Sequence, residues 1–485
     1  MKVKGLRWVV LSLIVLVTII NYLDRGTLNY MWVANTKVEV PAGEWSVVDS
    51  TNLYLVQAKE GLLELNASDV TVAENGTLTY VEYGGIAKDL GLVDTTASVE
   101  EQQKQAKSML AVITMFFMIA YGISQLFSGK VYDKIGTRKG FTLSAILWGA
   151  ADALASLSSG LKSLTFFRVM LGLGEAGPWP GTTKSNAEWF PQKERALAQG
   201  IFGAAASAGS IIAPILIPVL FIAFGWKITF VIVGSLGILW VVPWLIINKK
   251  GPKEHPWITE KEQKYIIEGQ PENVVSNTKG KSYGRLFKEK KNYAVILGRF
   301  FLDPIWWMFV TWLPIYLIEV FGLDIKQIAM SAWVPYVGAA IGSISGGWFS
   351  GWLIKKGKSV NYARKCAICI GACLVVPGMI LAAMASTPIM AVVMMAVILG
   401  GFQFMMTNIQ TIASDLQVGK SVGTLAGIGG AAAVCGTLIM TWLVPIITAG
   451  GNWVPFFIVG AALVPLSMLS VFIFGGKIEQ TKSAE

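Results

Sequence analysis

Two adjacent residues of opposite charge, Asp24 and Arg25, lie inside an apolar run that extends from about residue 8 to residue 31. Burying such a charge in a bilayer costs about 3 kcal/mol on insertion scales. Charges are tolerated there when they face a protein interior or a water-filled cavity and find partners. The pair therefore predicts a functional site, the alternative being a structural ion pair that only fixes helix packing.

A second pair of opposite charges lies in another apolar segment, where Arg168 precedes Glu175 by seven residues. Seven residues are two helical turns, so both side chains lie on one face, about 10 Å apart along the axis. Arg25 and Arg168 together can bind a carboxylate, since a guanidinium suits bidentate contact. Asp24 and Glu175 can neutralise these arginines when no substrate is bound, and they can take up protons.

The stretch 129–139 combines glycines, an acid and basic residues after the second apolar segment. Gly129 lets two helices approach closely, and Asp133 lies at a helix end within reach of basic residues such as Arg138. A charge cluster there can stabilise one conformation, so we assign conformational gating to these three residues rather than membrane anchoring alone. The matching place in the second half has Gly351 instead of the acid, and this degenerate copy still indicates an internal duplication of six helices.

Polar and aromatic residues of the second half offer further contacts. Trp307 can stack on a sugar ring or belong to an interfacial aromatic belt. Four polar residues of one helix can face a cavity or join helices by hydrogen bonds, namely Thr407, Asn408, Gln410 and Thr411, and we expect a cavity for Asn408. Four cysteines, three of them in one apolar segment, indicate neither a disulfide framework nor a metal site. We predict no catalytic residue, no metal and no cofactor.

Composition places these residues in a membrane. The chain has 485 residues, of which 54% are hydrophobic and only 14% are charged. Apolar runs of about 20 residues recur from end to end, which predicts an all-α membrane protein with twelve transmembrane helices in two six-helix halves. The only histidine, His255, falls in a polar loop, which excludes a histidine proton relay within the membrane.

The same pattern divides the chain into five parts. We expect a first helix within 1–31, an extracytoplasmic insertion with some β structure at 32–106, the rest of the first bundle at 107–248, a cytoplasmic linker at 249–291 and the second bundle at 292–485. Basic loops alternate with poorly charged ones, so both termini are expected in the cytoplasm. The net charge of +10 follows this distribution and does not indicate a nucleic acid partner.

Several stretches together carry a resemblance to one family. They are 21–25, 129–139, 188–195, 303–307, 312–317 and 422–430, with Arg168 and Glu175. The chain outside the insertion resembles the anion:cation symporters of the major facilitator superfamily, and most of all bacterial hexuronate and related sugar-acid transporters. The resemblance implies alternating access and proton-driven uptake of an organic anion.

The resemblance also implies roles for individual residues. The carboxylate-binding arginine of the family falls on Arg25, its neighbouring tyrosine on Tyr22, and polar cavity positions on Tyr121 and Gln125. The protonatable acids fall on Asp24 and Glu175, with Arg168 as the partner of Glu175. Two departures are Ala206, where some aldonate and aldarate members have a glutamine, and the insertion itself, which is not typical.

We therefore expect a monomeric, multi-pass protein of the bacterial cytoplasmic membrane that imports a hexuronate, aldonate, aldarate or similar organic anion with protons. Its partners are the small anion, protons and the lipid bilayer. Proton-antiport export of amphipathic compounds and sodium coupling are the alternatives on the same fold. Two arginines with two acids favour an anionic substrate over a cationic drug. A membrane enzyme or sensor is not favoured, because no nucleophile–base pair, metal cluster or nucleotide loop stands out.

Overall fold

The structure is a computed structural model that describes residues 2–32, 34–48, 53–58, 61–66, 70–73, 75–94, 99–270, 280–323, 331, 333–448 and 451–479. The helices of the first half are α1 (Leu6–Met31), α2 (Ile86–Asp89), α3 (Val99–Ala155), α4 (Leu161–Glu175), α5 (Pro178–Trp189) and α6 (Gln192–Ile247). The linker contains α7 (Glu260–Glu268) and α8 (Tyr283–Lys288). The second half contains α9 (Tyr293–Phe321), α10 (Val334–Lys355), α11 (Val360–Ala383), α12 (Pro388–Leu416), α13 (Val422–Ile447) and α14 (Val454–Gly475).

Nine helices within the described residues are long and apolar enough to cross a membrane. Two of these, α3 with 57 residues and α6 with 56, contain one glycine of positive φ each, 83° at Gly136 and 74° at Gly225, so each consists of two helices joined at a kink. A Cβ at either glycine would meet no atom within 4 Å, so glycine is favoured there by the backbone conformation and not by space. The expected fold class is confirmed, whereas the count of twelve crossings stays a prediction.

The apolar runs of the sequence predict helices at about 8–31, 107–130, 140–158, 163–187, 195–222, 227–248, 292–319, 327–353, 364–384, 387–412, 421–447 and 453–475. The boundaries in the structure differ from these in three places. Separate helices were expected at 107–130 and 140–158, but α3 is already helical from Val99, before the apolar run begins. The helix expected at 163–187 is divided into α4 and α5 around Gly177, in a stretch rich in glycine and proline. The helix expected from 327 begins at Val334 in α10, and residues 324–330 and 332 lie outside the described residues.

The insertion forms two small antiparallel sheets, as its alternating pattern predicts. One has the order β1 (Ala34–Val40), β6 (Leu78–Gly84), β5 (Val70–Val72), and the other the order β2 (Trp45–Val48), β3 (Leu53–Ala58), β4 (Gly61–Asn66). The chain then returns to the bundle through α2. Here the Trp226 indole donates to an Asp89 carboxylate oxygen at 2.8 Å, and the Ile86 side chain is fully buried.

Glycines bring the two halves into contact at one end of the bundle. A Cβ on Gly129 of α3 would lie 2.0 Å from the carbonyl oxygen of Gly423 in α13. A Cβ on Gly347 of α10 would lie 2.2 Å from the carbonyl oxygen of Ala196 in α6. Small residues allow such close backbone approach between helices in a membrane. We call this the linker end, because α7 lies there.

The sequence of the polar linker predicts a short helix at about 259–268, and the structure has α7 there, which joins the start of α1 to the start of α6. Glu262 accepts hydrogen bonds from the backbone N–H groups of Gly5 and Leu6, at 2.9 and 3.0 Å, which satisfies free donors at the N-terminus of α1. The Tyr265 hydroxyl donates to Glu194 of α6 at 2.6 Å, and burial together with this carboxylate raises the pKa of Tyr265 to about 12. The hydroxyl therefore remains a donor at neutral pH.

Candidate functional site

A cavity lies between the two halves. Five of the predicted binding residues line it, namely Tyr22, Arg25, Tyr121, Gln125 and Trp307. Thr407 and Gln410, for which the sequence left a cavity or an interhelical role open, also line it. The other lining residues were not among the predicted site residues, and they include Trp179, Arg299, Asp303, Trp306, Phe402, Gln403 and Met406. The lining combines charged groups, amides and aromatic rings, a combination that suits a small polar ligand.

Arg25 of α1 contacts the cavity and is neutralised from behind by Glu175 of α4. Its Nε and Nη2 atoms both donate to Oε2 of Glu175, at 3.0 and 2.9 Å. Glu175 is fully buried, whereas the Arg25 side chain is 14% exposed. The guanidinium also lies 5.1 Å from the ring centres of Tyr22 and Tyr121, a cation–π distance. A charge pair between two helices thus places its positive member at the cavity wall.

Arg168 lies behind Arg25 and is not among the described lining residues. Its Nη2 donates to the backbone oxygen of Arg25 at 3.1 Å, and its Nη1 lies 3.8 Å from a carboxylate oxygen of Asp152. The expected pairing of Arg168 with Glu175 is wrong in this structure, because Glu175 is hydrogen-bonded to Arg25. Two helical turns separate Arg168 from Glu175, and α1 supplies a nearer partner for each. The geometry favours a positioning role for Arg168.

Asp24 and Asp152 form the rear of this network. Both are buried, at 0% and 1% exposure, and their carboxyl groups face each other. Neither group accepts a hydrogen bond from a donor within the described residues. Sequence reasoning missed Asp152, although a lone acid between Ala145 and Ala155 in an apolar run was a usable signal.

Arg299 and Asp303 form a second ion pair at the cavity, this time in the second half. They are one helical turn apart in α9, with Nε of Arg299 donating to Asp303 at 3.0 Å and Nη2 donating to the other carboxylate oxygen at 3.4 Å. The side chains are only 9% and 17% exposed. Their i, i+4 spacing inside an apolar segment was visible in the sequence, yet the site was expected to draw its charges from the first half alone.

Asn408 and Thr411 of α12 are not among the described residues that line the cavity. The Asn408 amide donates to the backbone oxygens of Gly346 and Phe404, at 3.1 and 2.9 Å, and the Thr411 hydroxyl donates to the backbone oxygen of Thr407 at 2.7 Å. Thr407 and Gln410, on the adjacent face of the same helix, line the cavity instead. The prediction that Asn408 faces the cavity is therefore wrong: the preceding residue, Thr407, lines the cavity, and the Asn408 amide joins α12 to α10.

Two of the three residues predicted for gating, Gly129 and Asp133, meet the N-terminus of α13 at the linker end. Asp133 accepts hydrogen bonds from the backbone N–H groups of Gly423 and Thr424, at 3.1 and 2.6 Å, and lies 3.2 Å from Lys184. An acid at this position satisfies free donors and the positive end of the helix dipole. Arg138 donates instead to the backbone oxygen of Leu245, within the first half.

The second half has its own buried contact at the linker end. Asp415 of α12 accepts a hydrogen bond from Nε of Arg364 in α11 at 2.8 Å, with both side chains fully buried. Arg195 of α6 donates to the backbone oxygen of Ser414 at 2.7 Å, which ties this pair to the first half. Gly351, which replaces the acid of the first copy, lets α10 approach the backbone of Lys193. The two repeated segments thus connect the halves differently, the first through Asp133 and the second through Arg195 beside the Arg364–Asp415 pair.

Comparisons with known proteins agree with this geometry. The family model of the Major Facilitator Superfamily matches residues 70–431. The hexuronate transporter of Escherichia coli (strain K12) is 28% identical over 479 residues, which are 97% of this chain and 94% of that protein. The probable galactarate/D-glucarate transporter GarP of the same strain is 30% identical over 370 residues, 72% of this chain and 82% of that protein.

A solved structure supports the fold independently. The proton:xylose symporter XylE has a TM-score of 0.67 at 13% identity, over 98% of this chain and 96% of that one. The family match covers more than half of the chain, and one relative reaches 30% identity over most of its length. The chain therefore belongs to the Major Facilitator Superfamily, among its sugar-acid transporters, and is a multi-pass membrane transporter rather than an enzyme.

Proposed function

We propose that this transporter is a proton-coupled symporter that imports a sugar acid across the bacterial cytoplasmic membrane by alternating access. Relatives named as a hexuronate transporter and a probable galactarate/D-glucarate transporter support the substrate class, and the matched fold of a named proton symporter is consistent with the coupling. The observation that carries the proposal is the Arg25–Glu175 pair, a guanidinium at the cavity wall with a buried carboxylate behind it.

The substrate carboxylate competes with Glu175 for Arg25. Both donors that Glu175 occupies, Nε and Nη2, belong to one edge of the guanidinium, which matches the two oxygens of a carboxylate. Tyr22 and Tyr121 flank this position, and Trp307 offers an aromatic face to the sugar. Once the substrate holds Arg25, Glu175 is buried without its hydrogen-bonded partner.

Glu175 then takes up a proton, because an isolated carboxylate in a buried site is far more costly than the neutral acid. Its second oxygen, Oε1, has no donor within the described residues, so the Arg25 contact is the hydrogen bond that keeps the charge in place. Binding of one anion and one proton leaves the net charge of the site unchanged. A site of unchanged charge can be re-exposed on the other side without added electrostatic cost.

Asp24 and Asp152 hold one proton between them throughout this exchange. Two adjacent buried carboxylates repel each other strongly when both are ionised, so one of them stays neutral and the charge of the other is balanced by Arg168, which lies 3.8 Å from Asp152. Three acids then carry two negative charges, which balance Arg25 and Arg168. Asp24 is the second candidate for the coupling site, should Glu175 fail that role.

Alternating access requires the contacts at the linker end to open. With the linker in the cytoplasm, as the basic loops predict, the present structure is closed on the cytoplasmic side. The hydrogen bonds of Asp133 to the N-terminus of α13 and of Arg195 to the backbone oxygen of Ser414 stabilise this closed state. Breaking these contacts lets the halves separate at this end and releases the substrate into the cell.

Proteoliposomes containing the purified protein test the proposal. Galacturonate, galactonate and galactarate are offered outside, with an inward proton gradient, an inward sodium gradient or no gradient. We expect accumulation of at least one acid with the proton gradient only, together with alkalinisation outside. Accumulation driven by sodium alone would establish the sodium alternative, and efflux driven by inward proton flow would establish antiport.

A further inference from the structure

The cavity contains two arginine–carboxylate pairs, one from each half. Arg25 is paired with Glu175 behind the first wall, and Arg299 is paired with Asp303 on the second. The charged residues among the described lining residues are Arg25, Arg299 and Asp303. A ligand between the halves thus meets one guanidinium on each side.

The Arg299–Asp303 pair is costly in its position. An exposed i, i+4 pair contributes a few tenths of a kcal/mol to a helix, but here both side chains are mostly removed from water, where the desolvation of two ions exceeds that gain. The third nitrogen, Nη1, has only a 3.5 Å contact with the backbone oxygen of Ala426. Nη1 of Arg299 can therefore donate a hydrogen bond to a ligand at the edge of the cavity.

A strip of polar groups connects the two arginines. The Tyr121 ring packs under Arg25, and the Tyr121 hydroxyl accepts a hydrogen bond from Nε2 of Gln125 at 2.9 Å. The other amide atom, Oε1 of Gln125, is buried and has no donor within the described residues. A Cβ on Gly430 would lie 2.3 Å from this oxygen and 3.4 Å from Nη1 of Arg299, so the amide and the guanidinium meet at this glycine.

We propose that Arg299 is a second anion-binding residue and that the substrate is a sugar acid with an acid group at each end of its carbon chain. The proposal deepens the proposed function and rests on it. One carboxylate binds Arg25, and the other displaces Asp303 from Arg299. Asp303 then takes up a second proton for the same reason as Glu175, so two protons balance the two charges of the ligand. A hydroxyl between the two carboxylates donates to Oε1 of Gln125. Trp306 and Trp307 flank the polyol chain.

A sugar acid with a single carboxylate cannot use both sites. The neutral end of a hexuronate or an aldonate cannot compete with the Asp303 carboxylate for Arg299. The Arg299–Asp303 ion pair therefore stays intact, and the ligand gains no charge-assisted hydrogen bond there. A hydrogen bond to a charged group contributes enough to change an equilibrium constant by about tenfold or more. We therefore expect the double acid to bind at least about tenfold more tightly.

Three probes with one carbon skeleton test the inference: galactarate has two carboxylates, galactonate has one at the first carbon, and galacturonate has one at the last. Binding is titrated by tryptophan fluorescence on the purified protein, since Trp179, Trp306 and Trp307 line the cavity. Wild type should prefer galactarate by about tenfold or more. Arg299→Gln should remove this preference while galacturonate affinity stays within about threefold.

The control variants separate a ligand contact from a structural role. Arg285→Gln removes an equal charge from an exposed position of the linker and should leave the preference intact. Asp303→Asn keeps Arg299 but removes its competitor, so galactarate should bind at least as tightly as in wild type. If Arg299→Gln does not fold, Asp303→Asn and the wild-type panel still decide the question.

Equal affinity of wild type for all three acids, or an equal loss for all three in Arg299→Gln, would overturn the inference and leave sugar-acid transport standing. Tighter binding of galacturonate than galactarate would do the same. Failure of all three acids to bind would instead contradict the proposed function itself. The two failures are therefore distinguishable in one experiment.

Discussion

The two halves of the transporter use buried charge differently. The first half contains three acids, Asp24, Asp152 and Glu175, and two arginines in one buried network. The second half contains one-to-one pairs, Arg299 with Asp303 and Arg364 with Asp415. An excess of acid can be balanced only by protons, whereas one-to-one pairs are balanced without them. Under the proposed mechanism, the excess of acid favours proton coupling in the first half, and the balanced pairs leave the second half to contribute to ligand recognition and closure.

The largest effect is expected for Arg25→Lys. An ammonium is a point charge and cannot give the two parallel donors that Arg25 gives to Glu175 and to a carboxylate. We expect substrate affinity to fall about 100-fold, which is close to the cost of disrupting a buried charge pair. Binding titrations with the sugar-acid panel measure this directly.

A lysine at position 299 tests whether the two arginines bind different parts of the ligand. Arg299→Lys should weaken double acids selectively, whereas Arg25→Lys should weaken every sugar acid. Wild-type affinity in Arg25→Lys would remove Arg25 from the carboxylate site.

The Asp152→Leu change tests the rear of the network, with Asp152→Asn as its control. Leucine leaves Arg168 without its nearest carboxylate, at 3.8 Å, in a buried site. We expect a loss of about 3 kcal/mol in the free energy of unfolding, as for other buried pairs that lose one partner. Asparagine can donate to Asp24, which then carries the charge, so this variant should lose less than half as much. Thermal unfolding in detergent compares the two, and equal stability of both variants would show that Asp152 does not neutralise Arg168.

Glu175→Gln mimics the protonated acid permanently. It should bind substrate and perform counterflow, but accumulation driven by a pH gradient should be lost. One coupled proton supports about tenfold accumulation per pH unit, because one unit is worth about 1.4 kcal/mol. Counterflow and pH-driven uptake are measured in the same proteoliposomes.

Asp303→Asn is the matched control in the second half. With a single-carboxylate acid such as galacturonate it should retain pH-driven accumulation, because that ligand leaves the Arg299–Asp303 pair intact and the pair takes up no proton. If Glu175→Gln still concentrates substrate, coupling lies elsewhere, and Asp24 becomes the next residue to test.

The sequence was sufficient to predict the fold class and five of the residues that line the cavity. Charges at 24, 25, 168 and 175 stand out because a bilayer tolerates few of them, and apolar runs locate the helices. The sequence does not show which charged side chains pair with each other, because pairing depends on how the helices cross. Glu175 therefore meets Arg25 of another helix rather than Arg168 of its own.

The sequence also does not show which face of α12 is turned toward the cavity. Thr407 and Gln410 face the cavity while Asn408 and Thr411 do not, and one residue of rotation is about 100°. A helix that is apolar on most faces gives no periodicity from which to choose between them. The β structure of the insertion was easier to predict, because the alternation of residues along a strand and the turn at Gly76 are local signals in the sequence.

A smaller effect is expected for Asp133→Asn. The carboxylate accepts two backbone N–H bonds from α13 and lies far from the cavity residues, so the variant should bias conformations without touching substrate. An asparagine oxygen can keep one of these bonds, so turnover should slow by only a few-fold, with affinity unchanged within about twofold. Counterflow rates and equilibrium binding separate the two quantities. A large loss of affinity with unchanged exchange would contradict a gating role.

The smallest effect is expected from removing the sheets of the insertion. Ala34 and Gly84 are paired partners in the antiparallel ladder of β1 and β6, so residues 35–83 can be replaced by a short Gly-Ser turn without moving either end. The cut must spare α2, because Ile86 is fully buried and Asp89 accepts a hydrogen bond from Trp226. Uptake and thermal stability of this deletion should match wild type if the sheets are accessory.

A longer deletion, of residues 36–102, is the informative contrast. It removes α2 and leaves Trp226, a residue only 5% exposed, without the cover of Ile86 and without its Asp89 acceptor. Loss of stability only in the longer deletion would show that the bundle depends on the return segment and not on the sheets. Loss of uptake in the shorter deletion, with normal membrane insertion and unchanged stability, would instead show that the sheets take part in substrate capture.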